Sequence, residues 1–272
     1  LFRSHNVEHE IWGRHLQRRS RSPMSSWFRS QYHKWRAFEI EEMCQSDLCA
    51  AITTRDAGSI ASLCPDLAVE TIPAGVDLGR YPFVDGADRD PGRVLIVGGM
   101  DWAPNKDAAL WFVDEILPIV RQTLPDLRTT IIGKNPPPEL LRQREGVDVV
   151  GFVDDIVAEY AAATLGIVPL RVGGGMRVKI VEMMGAGLPV VASPIAIEGN
   201  LAVAGDHYAP AASAAEFAAS IVSLVEDSSG RNEMAVSARR FVEETYADVA
   251  IAEAWRQAID RTIEGWQQRS GV

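Results

Sequence analysis

The sequence predicts an α/β protein whose main body is a doubly wound parallel sheet, and three observations carry that prediction. From Val94 onward, short β-branched runs recur: VLIVGG (94–99), TTIIG (129–133), VDVVGF (147–152), LGIVPL (165–170) and LPVVAS (188–193). Continuous apolar runs of this length suit parallel strands buried on both faces. Helical patterns lie between them, so the chain alternates strand and helix, and ligands are expected at the carboxyl ends of the strands. The third observation is the run from Arg171 to Gly199, where a glycine-rich turn leads into a helix.

In chain order, residues 1–77 come first and differ in character. LFRSHNVEHE enters in what reads as the end of a strand, and a polar, arginine-rich stretch follows. A helix is expected from about Trp27 to Cys44, a strand over LCAAIT (48–53) and a small helix over Arg55–Leu63. IPAGVDLGRYPF (72–83) reads as a connector, because Pro73 and Gly75 break periodicity. Only one or two strands are expected here, too few for an independent sheet. The segment therefore reads as an incomplete α/β domain whose first half lies upstream of Leu1, and such a remnant is expected to expose apolar surface and self-associate.

After the first β-branched run, Ala109, Phe112, Val113, Ile116, Val120 and Leu124 share one face of a helix that ends near Pro125. Beyond the last run, Ala214–Val225, Arg231–Thr245 and Asp248–Trp266 read as three successive amphipathic helices. The domain boundaries expected are 1–77, 78–246 and 247–272, the last being a helix that packs back toward the N-terminal part.

Composition narrows the function classes. The 272 residues are 47% hydrophobic and carry a formal net charge of -10. That balance argues against nucleic acid or an anionic membrane as the main partner, and at most for peripheral membrane contact. No apolar run is long enough to span a bilayer, and no signal-peptide pattern opens the chain. Cys44, Cys49 and Cys64 lack metal-type or redox-type spacing, so they are expected to be buried thiols of a protein in a reducing, cytoplasmic compartment.

The glycine-rich turn suggests an anion site. Gly173, Gly174 and Gly175 let backbone N–H groups approach a ligand, and a helix starting near Gly175 would place those groups at its positive end. Stepped at 100° per residue, Gly175, Val178, Lys179 and Glu182 share a face, while Arg177 points roughly opposite. Lys179 would meet a phosphate and Glu182 ribose hydroxyls. The same spacing is equally compatible with an exposed ion pair on a surface helix. No dinucleotide or P-loop glycine motif occurs.

VGGMDWAPNKDAALWFVDEILPIV, TIIGKNPP, VVGFVDDI and above all PLRVGGGMRVKIVEMMGAGLPVVASPIAIEG resemble the C-terminal domain of retaining glycosyltransferases of the GT-B fold, in the family 4 ("group 1") class. HNVE, DLCAAITTRDA and IPAGVD resemble later parts of that family's N-terminal domain. The resemblance implies two Rossmann-like domains, a complete C-terminal one for the donor and a partial N-terminal one for the acceptor. It implies a nucleotide-diphosphate sugar of the UDP or GDP type as donor, a saccharide or lipid-linked acceptor, hexosyl transfer with retention, and no required metal or other cofactor.

The family's signature is two glutamates separated by seven residues. Glu182 matches the second, which implies a ribose contact, and Gly174 stands at the first. Phosphate N–H groups would come from Met176, Arg177 and Val178. Gly99 and Asn105 belong to the loop after the first strand, where many members carry a basic pair; here those positions read Met100 and Asn105. Lys179, with Arg177, is expected to take over that charge. Gly133, Lys134 and Val153 fall where base-binding loops are expected, Trp102 is placed to wall the cleft, and His5 lies where cleft residues orient acceptor or sugar. The rival readings are a nucleotide-sugar-binding remnant without activity, and a nucleotide-sugar 2-epimerase.

Overall fold

The computed structural model describes residues 1–18, 24–86, 89–173 and 175–270, so Gly174, one of the expected phosphate-loop residues, lies outside the described residues. The chain forms two compact units: Leu1–Ala74 with Gly174–Met176 and Val249–Val272, and Gly75–Gly173 with Arg177–Asp248.

The second unit is a six-stranded, wholly parallel sheet. Numbered along the whole chain, its strands are β4 (Arg93–Val97), β5 (Arg128–Ile132), β6 (Val147–Gly151), β7 (Leu165–Val168), β8 (Val190–Ala192) and β9 (Ala209–Pro210). Their spatial order is β6-β5-β4-β7-β8-β9. The order reverses between β4 and β7, so the carboxyl ends of these two strands form the crevice in which doubly wound sheets bind ligands. The β-branched runs make these strands because both faces are covered: Leu95, Leu165, Ile167, Val190 and Val191 are all buried.

On one face lies α4 (Ala103–Trp111), continued by a π-helical turn over Phe112–Ile116 and by α5 (Leu117–Val120). Pro118 has no N–H for the carbonyl four residues back and its ring crowds that carbonyl, which accounts for the wider turn. The expected apolar face holds: Ala109, Phe112, Val113, Ile116 and Val120 are buried in one core with Phe217. α6 (Ile156–Ala162), α7 (Val178–Gly185), the single turn α8 (Pro194–Ile197), α9 (Ala214–Glu226) and α10 (Ser228–Thr245) complete the unit.

The first unit holds three parallel strands, β1 (Phe2–Ser4), β2 (Leu48–Ala51) and β3 (Ala68–Thr71), in the order β1-β2-β3, where one or two were expected. The polar stretch after His5 is a helix, α1 (Glu8–Arg18), packed on α2 (Ser25–Cys44) through Trp12, Trp27 and Phe28. α3 (Thr54–Leu63) is capped by the Thr53 hydroxyl, which accepts from the Asp56 N–H at 3.0 Å. The final helix α11 (Asp248–Ser270) lays Ile251, Ala254, Trp255 and Ala258 over Leu48, Ala50 and Ile72, and Arg261 pairs with Glu70 at 2.7 Å.

The expectation of three buried thiols is corrected. Cys44 and Cys64 form a disulfide, with Cα atoms 5.5 Å apart, and only Cys49 is a free buried thiol among the described cysteines. The argument from cysteine usage to a reducing compartment therefore falls. Among the described residues no helix is long and apolar enough to cross a membrane.

Candidate functional site

The site forms at the carboxyl edge of the second unit's sheet, where the loops after β4, β5 and β6 are tied by backbone hydrogen bonds. Gly98 N–H donates to Ile132 O at 2.9 Å, Met100 N–H to Lys134 O at 2.8 Å, and Gly133 N–H to Gly151 O at 2.7 Å. Only glycine permits this approach at residue 133, because a Cβ there would lie 1.8 Å from the Gly98 carbonyl oxygen. Above these loops is a cavity of about 360 Å³, within the range of small-ligand sites.

Four residues singled out in the sequence line that cavity: Gly99, Gly133, Lys134 and Val153. Phe152 forms part of its wall with the Lys134 ammonium 4.6 Å from the ring centroid, and Asp154 and Arg80 line it as well. Arg80 went unnoticed in the sequence, being one arginine in a connector. Lys106 turns away to pair with Glu139 at 3.7 Å, and Arg171 is held by Asp107 at 2.6 Å.

Lys179 and Asn105 support the cavity from behind the β4 loop. The Lys179 ammonium donates to the Val97 carbonyl at 2.7 Å and to Asn105 Oδ1 at 3.0 Å, and Asn105 Nδ2 donates to the Gly99 carbonyl at 3.0 Å. The lysine therefore holds the β4 loop as well as carrying charge, and one of its three N–H donors remains for another acceptor. Burial, and next the neighbouring Arg177 guanidinium, push the Lys179 pKa down to about 8.

The expected start of the helix near Gly175 is corrected: α7 begins at Val178, with Arg177 as its N-cap residue at φ -95°, ψ 88°. The wheel drawn from Gly175 does not apply to the turn before Val178. Arg177 consequently does not point away from Lys179. Its guanidinium is buried 5.4 Å from the Trp102 ring centroid, and a Cβ on Gly173 would lie 2.0 Å from its Nη2. Val178 is the first helical residue, and Gly175 takes a left-handed φ of 75°. Met176 directly precedes the Arg177 N-cap.

Glu182 lies on α7, where its carboxylate accepts from the Tyr81 hydroxyl at 2.9 Å and the Tyr160 hydroxyl at 3.2 Å. Burial, then the hydrogen bond to Glu182, push the Tyr81 phenol up to about 12, and the nearly inaccessible Tyr160 is also pushed up by burial and Glu182. No spacing rule connects these three residues, and the sequence reading missed both tyrosines. His5 is exposed at the carboxyl end of β1 in the first unit.

A model of the family described as Glycosyl transferases group 1 matches residues 91–227. A curated relative, an uncharacterized 44.6 kDa protein in the cps region of Klebsiella pneumoniae, is 27% identical over 177 residues, which are 61% of this chain and 46% of the relative. Among solved structures, TarM aligns with a TM-score of 0.70 at 16% identity, covering 83% of this chain and 46% of that one. The pneumococcal O-GlcNAc transferase GtfA, solved with UDP and GlcNAc, aligns at 0.67 and 16%, covering 85% and 48%. Anabaena Alr3699/HepE, solved with UDP and glucose, aligns at 0.70 and 15%, covering 95% and 70%. The chain thus spans about half the length of the curated relative, TarM and GtfA. At these identities the solved structures establish the fold, α/β with parallel sheets as in GT-B glycosyltransferases.

Proposed function

We propose, since this chain belongs to the glycosyl transferases group 1 family, that residues 78–246 hold a nucleotide-diphosphate sugar donor and that the whole protein transfers its hexosyl group to an acceptor with retention. The observation that carries this reading is the cavity at the carboxyl ends of β4, β5 and β6, on the β4 side of the strand-order reversal, with a desolvated lysine bonded to the Val97 carbonyl in its wall. Residues 1–77 and the final helix, 247–272, are assigned to the acceptor side, with His5 as its contact to a saccharide or lipid-linked acceptor.

The base is assigned to the wall made by Gly133, Lys134 and Val153, the ribose to Glu182, and the diphosphate to the N–H groups of Met176, Arg177 and Val178 with the charge of Lys179 and Arg177. Gly99, Asn105, Gly173 and Gly175 are assigned to the phosphate end of the donor as well. As the glycosidic bond breaks, negative charge grows on the diphosphate oxygen. Preorganised N–H donors and a cation in a partly desolvated site lower the energy of that state more than the ground state. The acceptor hydroxyl approaches on the face the diphosphate leaves, so its proton can pass to a departing phosphate oxygen without a protein nucleophile.

UDP is favoured over GDP as the nucleotide, on the support of the HepE and GtfA structures solved with UDP. Titration calorimetry of the purified chain with UDP and GDP is the test. Binding of UDP that an equal concentration of GDP does not displace supports the assignment, tighter binding of GDP refutes the choice of nucleotide, and no binding of either nucleotide refutes the donor site itself.

A further inference from the structure

The two tyrosines that meet Glu182 have no place in the donor-site reading, and their arrangement is specific. Tyr81 and Tyr160 are buried, with relative exposures of 4% and 1%, and their ring centroids are 6.1 Å apart. Each hydroxyl donates to a different oxygen of one carboxylate, Tyr81 to Oε1 and Tyr160 to Oε2. An ionised carboxylate has about four acceptor positions, two on each oxygen. With one position on each oxygen filled by a phenol, one on each remains, and the pair suits two adjacent hydroxyl groups.

The tyrosines are themselves fixed from below by two arginines. The buried Arg89 guanidinium donates to the carbonyls of Tyr160 at 2.6 Å, Ala163 at 2.9 Å and Ala186 at 3.0 Å, and so joins the C-terminal ends of α6 and α7. Arg239 donates to the carbonyl of Tyr81 at 2.7 Å and also to that of Gly185. The element carrying each tyrosine is thereby tied to the end of the helix carrying Glu182. Glu182 stays partly exposed and is not itself a lining residue of the cavity, whose wall includes Arg80, adjacent in sequence to Tyr81, and Ile156, one helical turn before Tyr160.

We propose that Tyr81 and Tyr160 are positioning residues that orient the Glu182 carboxylate so that its two open acceptor positions take the vicinal diol of the donor's ribose, which makes this pair the source of selectivity for ribo- over deoxyribonucleotides. The inference rests on the assignment of Glu182 to ribose. The tyrosines do not touch the nucleotide. Their hydroxyls hold the carboxylate in one rotamer with an acceptor position open on each oxygen, both of which a vicinal diol uses and a 2′-deoxyribose does not.

The test measures dissociation constants of UDP and 2′-deoxy-UDP by calorimetry for the wild-type chain and for Glu182→Ala, Tyr81→Phe, Tyr160→Phe and the double phenylalanine variant. The wild type is expected to prefer the ribonucleotide by at least ~10-fold, the effect of one charge-assisted hydrogen bond. Glu182→Ala should bring that ratio close to one. Each phenylalanine variant should lower it several-fold, chiefly by weakening UDP, with 2′-deoxy-UDP little changed. A purely structural role would weaken both nucleotides equally and leave the ratio at its wild-type value, which overturns the proposal while leaving Glu182 with the ribose. A ratio unchanged in Glu182→Ala, or no binding of UDP by the wild type, overturns the ribose assignment and the proposal with it.

Discussion

Raising the pH from 7 to 9 should weaken UDP binding by about tenfold, because Lys179 loses its proton in that interval. With a pKa of about 8, held down by burial and by Arg177, the ammonium is roughly nine-tenths formed at pH 7 and roughly one-tenth at pH 9. A diphosphate that binds only the charged form then loses a factor of about ten, or about 1.4 kcal/mol. Lys179→Met keeps the aliphatic stem and removes the charge. It should bind UDP one to two orders of magnitude more weakly at pH 7, the ~1.5 to 3 kcal/mol of a charge-assisted contact, and show no tenfold step. The assay is titration calorimetry at both pH values and matched ionic strength. The effect on folding has the opposite sign. Since the folded-state pKa lies below the ordinary lysine value of 10.5, the unfolded chain binds more protons between about 8 and 10.5, and the cost of burying this charge, complete below 8, is relieved as pH rises through that window. Weaker binding at pH 9 therefore cannot be ascribed to a fold destabilised by this lysine. A flat wild-type profile, or an equally steep one in Lys179→Met, would refute the assignment of charge to Lys179.

Two further outcomes test the scaffold. Gly133→Ala forces a Cβ to within 1.8 Å of the Gly98 carbonyl oxygen, so melting temperature should fall and UDP binding drop at least ~10-fold, whereas Gly58→Ala, with nothing within 4 Å in a helix interior, should stabilise by about 0.5 to 1 kcal/mol; equal melting points for the two variants would show the β4 and β5 loops to be farther apart. The Cys44→Ser, Cys64→Ser variant opens a loop spanning 20 residues and should cost about 3 kcal/mol in urea unfolding under oxidising conditions, with no difference from wild type in reductant; equal stability in both conditions would mean the bond does not form.

The strands were legible where burial on both faces leaves one pattern, an unbroken β-branched run, as in β4, β5, β7 and β8. β9 escaped because Ala209–Pro210 is two residues long and contains a proline, and β3 because Ala68–Thr71 is half exposed. α1 escaped for a different reason. EHEIWGRHLQR is polar on average, and its helix is stabilised by tertiary contact of Trp12 with α2. In the site, Gly133, Lys134 and Val153 were singled out through the family resemblance, and they line the cavity because they follow the carboxyl ends of β5 and β6. Tyr81, Tyr160 and Glu182 are joined by hydrogen bonds between residues 22 and 101 positions apart, and no local pattern encodes such a meeting. The pairing of Cys44 with Cys64 is likewise a property of where α2 and α3 end.

Asn105 stands where the family resemblance implies a basic loop residue, and Lys179, bonded to its Oδ1 at 3.0 Å, is the proposed counterpart. The Asn105 amide packs so closely that a Cβ on Gly98 would lie 2.5 Å from its Cγ, and it bridges the Gly99 carbonyl and the Lys179 ammonium. A second ammonium at residue 105 would compete for the same acceptors and repel Lys179 across a partly desolvated gap, so the site holds a cation on one side or the other. Putting it on α7 anchors it to a helix whose Ile180, Val181, Met183 and Met184 are buried, which restricts the charge more than a loop would. Asn105→Lys alone should therefore lower melting temperature and weaken UDP binding, and Lys179→Asn alone should weaken binding by one to two orders of magnitude, about 1.5 to 3 kcal/mol. The double exchange, Asn105→Lys with Lys179→Asn, restores one cation and one amide and should bind within ~10-fold of wild type. If the two losses instead add in the double variant, the residues act independently and the charge has not been relocated from loop to helix.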